Sequence, residues 1–366
     1  MSGTPVYWDY LKLAELLSLQ GGLENDEDQL LPDELHFILV HQVSELWFKL
    51  VLRELRMARD ELENPVPEER VPLVVHHLNR VNAILKLCVD SFEVMETLTP
   101  QDFLDFRDKL IPASGFQSFQ MREVEILLGL EETTKRHTYG KADAMEHIRA
   151  LAEHSPAGAM AWKRITSARE ELTLRGSLHR WLYRTPIEGS TPDQEGDAQV
   201  VADFVDRYLA GLSAMHASQF ERMKDLPDAD PEGLAQKFAG LRKQASAYLH
   251  AEDAPEADRQ RLVRIRTAVL FLESYRHLPL LSWPRTLVDT VVELEEQLVL
   301  WRHRHARMVE RTIGRRIGTG GSSGVEYLDL TTGYRVFREL WAARTLLLPR
   351  AYLPPLNHPD FYGFAG

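Results

Sequence analysis

Apolar residues recur at three- and four-residue spacing along almost the whole chain, and no convincing run of alternating strand residues interrupts them. The pattern predicts an all-α protein with helices over about 6–20, 33–63, 68–98, 100–110, 115–130, 141–152, 159–170, 195–223, 231–250, 255–277, 283–313 and 334–346. Loop residues punctuate them at Gly21-Gly22, Asn64-Pro65, Pro186 to Gly196, Pro227 to Pro231 and Gly314 to Gly324. Residues 186–282 are richer in charge than their flanks. They read as an inserted helical subdomain within one domain spanning 1–366.

Two of these helices each place a histidine on an apolar face. Over 283–313, Leu287, Val291, Leu294, Leu298, Trp301, His305, Val309 and Thr312 make one narrow stripe. His305 falls inside it, whereas His303 points to the opposite side with Glu296, Arg307 and Glu310. Over 33–63, Phe37, His41, Ser44 and Phe48 share an inward face. Leu39, Val43, Leu46 and Leu50 form an adjoining apolar face, and Gln42, Glu45, Lys49 and Arg53 the polar side.

A single histidine on such a face is more often a hydrogen-bonded core residue than a ligand. Zinc asks for three or four ligands at short local spacing, and no HExxH or similar set is present. Haem iron, held equatorially by its porphyrin, asks for one protein imidazole in an apolar pocket. The stripe around His305 offers flat hydrophobic contact and a nitrogen that burial keeps neutral. Periodicity permits this reading without requiring it.

Two further segments carry candidate chemistry. The loop 314–324 interleaves five glycines with six other residues, and no strand or Gly-Lys-Ser/Thr marks it as a P-loop. It is either a mobile linker or a lid over the site of His305. Downstream of Thr99-Pro100, which has the character of a helix start, Phe103, Phe106 and Arg107 lie on neighbouring helix faces. An arginine among aromatics suits a planar carboxylate. The plainer alternative is an ion pair with Asp108 or Glu123.

Composition narrows the classes. A chain of 366 residues, 44% hydrophobic, buries a core without a disulfide or structural metal. Its one cysteine, Cys88, rules out an internal disulfide, a CxxC site and covalent CxxCH haem attachment. A formal charge of −12 disfavours nucleic acid as partner, and the basic runs Arg302–Arg307 and Arg311–Arg316 read as helix-end charges. No signal peptide is visible, and no stretch approaches the ~20 apolar residues of a membrane span. A reducing cytoplasm is the expected location.

Several blocks then resemble one family. Tyr7 to Leu11, Phe37 to Trp47, Phe106-Arg107-Asp108, Ser114-Gly115-Phe116-Gln117-Ser118, Leu300 to His305 and Gly318 to Val325 look like the signature blocks of the tryptophan 2,3-dioxygenases, in order and in approximate register. The resemblance covers roughly residues 5–130 and 283–350. It implies an all-helical fold, non-covalent haem b, a homotetramer, and addition of both atoms of O₂ to L-tryptophan to give N-formyl-L-kynurenine. By the same resemblance His305 matches the proximal iron ligand, and His41 the distal histidine that hydrogen-bonds the indole N–H. Phe37 matches the aromatic wall beside the indole, Arg107 the carboxylate-binding arginine, and Thr319 a loop threonine meeting the substrate's ammonium and carboxylate. Ser114 matches a serine near the haem, with Gly115 and Trp301 beside the cofactor. Tyr7, Tyr10 and Leu11 match residues that complete a neighbouring subunit's pocket.

Four positions depart from the family pattern. Phe103 stands where a tyrosine often assists carboxylate binding, Val43 where threonine is common, Met121 where tyrosine is, and His303 where phenylalanine is. Of these, Phe103 is expected to touch substrate. The rival readings are a histidyl-haem monooxygenase of a substituted tryptophan or another aromatic amino acid, and a non-catalytic haem sensor; the set Phe37, His41, Arg107 and Thr319 favours the dioxygenase.

Overall fold

A computed structural model describes residues 6–63, 68–130, 148–150, 152–153, 155–320 and 324–364. Fourteen α-helices form among them: α1 (Tyr7–Leu11), α2 (Leu13–Leu16), α3 (Glu34–Glu63), α4 (Val71–Met95), α5 (Pro100–Arg107), α6 (Phe119–Leu128) and α7 (Pro156–Glu170). There follow α8 (Leu174–Arg184), α9 (Asp197–Met223), α10 (Pro231–Leu249), α11 (Glu256–Ser274), α12 (Ser282–Ile313), α13 (Val325–Thr331) and α14 (Arg338–Leu346). Among the described residues the extended pairing is one isolated bridge, Ile187 with Ser190. The all-α expectation holds.

The chain divides into two compact units. One comprises Met1–Arg56, Asn79–Glu171 and Leu294–Arg335; the other comprises Met57–Leu78, Leu172–Glu293 and Val336–Gly366. The charge-rich stretch 186–282 falls wholly in the second.

Capping fixes the short helices of the first unit. Thr99 accepts from the Asp102 N–H at 3.2 Å to start α5, with Pro100 in the first turn where its missing N–H costs nothing. Ser118 starts α6 in the same way, accepting from Met121 N at 3.2 Å, and Gly129 ends it at φ 98°. Glu123 on α6 is buried between Arg56 of α3 at 3.3 Å and Arg164 of α7 at 2.6 Å, which ties three helices together. The core joins Phe92, Met95 and Leu98, at and just beyond the end of α4, to Phe103 and Phe106 of α5 and to Met308 and Ile313 of α12.

In the second unit Phe204, Tyr208, Phe271, Tyr275 and Tyr362 pack as an aromatic cluster. Each tyrosine hydroxyl donates to a backbone carbonyl: Tyr208 to Leu346 at 3.0 Å, Tyr275 to Pro354 at 2.6 Å and Tyr362 to Pro186 at 2.9 Å. Buried Arg264 pairs with Asp197 at 2.6 Å and donates to the carbonyls of Tyr183, Thr185 and Ser190.

The structure departs from the sequence pattern in places. The helix expected over 6–20 breaks at Lys12, whose φ of 56° is left-handed and divides it into α1 and α2. α8 was not anticipated, although Thr173 caps it through Gly176 N at 3.0 Å and Leu174, Leu178, Trp181 and Leu182 are buried. α13 was likewise unforeseen. Most of the helix expected over 141–152 lies outside the described residues, as does the turn at Asn64-Pro65; residues 148–150 and 152 are helical. Contrary to the expectation of no membrane-length segment, α3 is long and apolar enough on average to cross one. Its face toward the first unit's interior nevertheless carries His41, Ser44 and Glu45, around a cavity.

Candidate active site

One cavity, with a water-accessible volume of about 250 Å³, opens within the first unit. Well-packed interiors leave few voids larger than a water molecule, so this is a built space and not a packing fault. α3, α4, α5, α6, α12, α13 and the segments 114–118 and 318–319 all contribute to its wall.

His305 sits there as the α12 stripe predicts. The Phe92 ring lies nearly parallel to its imidazole, centroids 5.7 Å apart at 9°, and Trp301 flanks it at 5.1 Å. Burial drives the His305 pKa down to about 4, and the positive potential of His41 and Arg122 pushes the same way. The ring is therefore neutral at ordinary pH, as a metal ligand must be. His303 is exposed, as its helical phase requires.

His41 projects from α3 with its ring surface open to the cavity. Its Nδ1 lies 2.7 Å from the Phe37 carbonyl. A carbonyl only accepts, so Nδ1 carries the proton and Nε2 keeps its lone pair. The surrounding protein lowers the His41 pKa, opposed in part by the Phe37 carbonyl and by Glu45 one turn on. Phe37 packs at 4.1 Å from the imidazole and 5.7 Å from Phe103, giving an aromatic wall. Glu45, placed by the sequence pattern on the polar side, instead lines the cavity and accepts from Gln120 Nε2 at 2.8 Å. The adjoining apolar face is outward: Leu39, Val43 and Leu46 are exposed.

Arg107 and Thr319 also reach this cavity. Arg107 Nη2 donates to the Ile317 carbonyl, and Thr319 Oγ1 to the Ala113 carbonyl at 2.6 Å. The ion pair considered for Arg107 with Glu123 is not formed, since Glu123 is taken by Arg56 and Arg164. Next to the second contact Gly320 approaches Ser114 so closely that a Cβ there would sit 2.8 Å from the serine Cβ. The loop after α12 is thus stitched onto the segment after α5, and glycine is needed where they touch. Residues 321–323 of the loop lie outside the described residues.

Ser114, Gly115, Phe103 and Trp301 line the cavity too. Tyr7, Tyr10 and Leu11 do not; they are 70%, 79% and 41% exposed. Sequence reasoning missed Phe92 and Met95, whose spacing on α4 looks like ordinary core. It placed Arg302 among solvated helix-end charges. Instead Arg302 is 5% exposed and pairs with Glu125 at 3.2 Å in the cavity wall. Met121, expected away from substrate, borders the same space.

Among the described residues no three His, Cys, Asp or Glu side chains gather to hold a bare metal ion. What the wall offers is two isolated imidazoles, His305 between the Phe92 and Trp301 rings and His41 against Phe37. That donor set fits a cofactor bringing its own equatorial ligands.

A family model described as tryptophan 2,3-dioxygenase matches residues 1–347. A Sorangium cellulosum (strain So ce56) protein named tryptophan 2,3-dioxygenase is 44% identical over 98% of this chain and 87% of its own length. A Ralstonia nicotianae protein named tryptophan 2,3-dioxygenase 2 is 45% identical over 98% and 97%. One from Xenopus tropicalis, named tryptophan 2,3-dioxygenase, is 33% identical over 99% and 86%.

Proposed function

The chain belongs to the tryptophan 2,3-dioxygenase family, and from that premise we propose that its cavity holds haem b on His305, with L-tryptophan bound beside His41. The reaction is the family's: both atoms of O₂ are added across the indole C2–C3 bond, and N-formyl-L-kynurenine results. When bound, the haem supplies the iron at which O₂ is activated. The observation that carries the assignment is that His305, His41, Arg107 and Thr319, distant in sequence, all open on one cavity.

The protein's own groups bind and orient. The bare Nε2 of His41 accepts the indole N–H, and Phe37 lies against the indole plane. A neutral histidine with a lowered pKa is a poor proton abstractor, so His41 is an orienting residue. Arg107 grips the substrate carboxylate, Thr319 meets the ammonium and carboxylate, and together they fix the reactive pose. Phe103 leaves that carboxylate one hydrogen bond short of the family pattern, at a cost of about 1 kcal/mol. Ser114, Gly115 and Trp301 border the cofactor, and the apolar walls keep water from the reacting atoms.

The exposure of Tyr7, Tyr10 and Leu11 supports their role in completing a neighbouring subunit's pocket within a homotetramer. We place the enzyme in the cytoplasm, free of membrane and nucleic acid, with residues 186–282 as an inserted helical subdomain of one catalytic domain.

The test begins with the Soret spectrum of the purified protein, before and after L-tryptophan is added. Anaerobic reduction and exposure to O₂ with L-tryptophan follow, with the product weighed by mass spectrometry. A band perturbed by tryptophan and a product heavier by two oxygen atoms are expected. A gain of one oxygen would overturn the dioxygenase assignment in favour of a monooxygenase. Haem without turnover of any indole amino acid would leave a sensor.

A further inference from the structure

The reading above leaves unused a buried ion cluster in the cavity wall. Arg302 lies three residues before His305 on α12, and its Nη2 donates to Glu125 Oε1 at 3.2 Å. The other carboxylate oxygen, Glu125 Oε2, accepts from Arg122 Nη1 at 2.9 Å, and the Arg302 guanidinium lies over the Tyr334 ring, 4.9 Å from its centroid. Arg302 and Glu125 are 5% and 2% exposed, and both line the cavity that His305 lines.

Fold stability does not account for this arrangement. Each buried ion costs several kcal/mol in lost hydration, and well-packed apolar replacements of such clusters are often neutral or stabilising. Glu125 already meets Arg122 one turn away on its own helix. Arg302 brings a second guanidinium from α12, the helix that carries His305. Charge placed in a poorly solvated wall acts over a longer range than the same charge in water. Ferric haem carries one positive charge more than ferrous haem, and local electrostatics are a lever on haem potential.

We infer that Arg302 and Glu125 set the redox poise of the iron centre, Arg302 favouring the ferrous state and Glu125 both holding that guanidinium and tempering its effect. Neither touches substrate in this scheme; they are positioning residues. The benefit is resistance to one-electron oxidation of the resting centre, in an enzyme that needs ferrous iron to use O₂. The inference rests on haem bound at His305.

The test is a spectroelectrochemical titration of haem-loaded wild type, Arg302→Met, Arg302→Lys, Glu125→Gln and the double variant Arg302→Met with Glu125→Gln. Arg302→Met is expected to move the ferrous-to-ferric ratio at fixed ambient potential about tenfold toward ferric, about 59 mV for a one-electron couple. Glu125→Gln moves it in the opposite direction, the double variant falls between them, and Arg302→Lys stays near wild type. A mere packing strut would shift both single variants the same way, or neither. Either result with an intact Soret band overturns the inference and leaves the haem assignment standing. Should Arg302→Met fail to fold, a shift toward ferrous in the near-isosteric Glu125→Gln together with no shift in the charge-retaining Arg302→Lys supports the inference, and an unshifted Glu125→Gln overturns it. A wild type that takes up no haem removes the haem assignment itself, and the inference with it.

Discussion

The two compact units differ in where characteristic polar side chains end. In the second, the hydrogen bonds of Arg264 close on the protein: Asp197 and three backbone carbonyls absorb the guanidinium, and the buried tyrosine hydroxyls of the same unit end on carbonyls. In the first, His305, His41, Arg107 and the Arg302–Glu125 pair all border open space. Polar side chains thus fix the fold in one unit and line a cavity in the other. Substitutions in the two units should fail by different readouts.

The largest difference is expected at His305. His305→Gln should abolish the Soret band and lower turnover a thousandfold or more, while circular dichroism shows the helices intact; retained haem would move the ligand elsewhere. Next comes a matched pair of charges. Arg107→Leu leaves a substrate carboxylate unpaired, a loss on the order of 3–5 kcal/mol, or roughly two to four orders of magnitude in kcat/KM. Arg264→Met strands Asp197 at a comparable cost, read instead as a lower urea midpoint with KM for tryptophan unchanged. If Arg264→Met raised KM as Arg107→Leu does, the contrast between the units would collapse.

A smaller effect is expected from pH. His305 is neutral in the fold down to about pH 4, whereas in the unfolded chain it takes up a proton near its ordinary 6.5. The unfolded state thus binds more protons across that window. Stability of the haem-free protein should fall as pH drops from 6.5 toward 4 and be insensitive to this group above it. Urea melts from pH 4.5 to 7.5 should show a shallower slope for His305→Gln; an unchanged slope would mean the ring is not kept neutral by the fold. Smallest is Phe103→Tyr, which restores one hydrogen bond at the carboxylate. It should lower KM by about fivefold, equivalent to about 1 kcal/mol; a higher KM would place Phe103 away from that group.

What could be foreseen from sequence follows the same division. The α12 stripe and the Thr99 start of α5 were legible because helical phase and capping are local, and the family blocks supplied roles for His305, His41, Arg107 and Thr319. α8 escaped notice because its buried face alternates with Arg175, His179 and Arg180, whose acidic partners Glu339 and Glu63 lie far away in sequence. The break at Lys12 has no glycine or proline to announce it. Arg302 was misread for a related reason. Nothing beside it in sequence reveals that Glu125, on another helix, would bury it.

The contacts of Arg107 with the Ile317 carbonyl and of Thr319 with the Ala113 carbonyl have a consequence for selectivity. An incoming amino acid does not find bare donors; it must outbid two peptide oxygens. A carboxylate can, since a hydrogen bond to an ionised acceptor is roughly twice as strong as one to a neutral carbonyl. Tryptamine has no such acceptor, and tryptophanamide offers only another neutral oxygen. The same indole without its acid group should leave the loop as it stands.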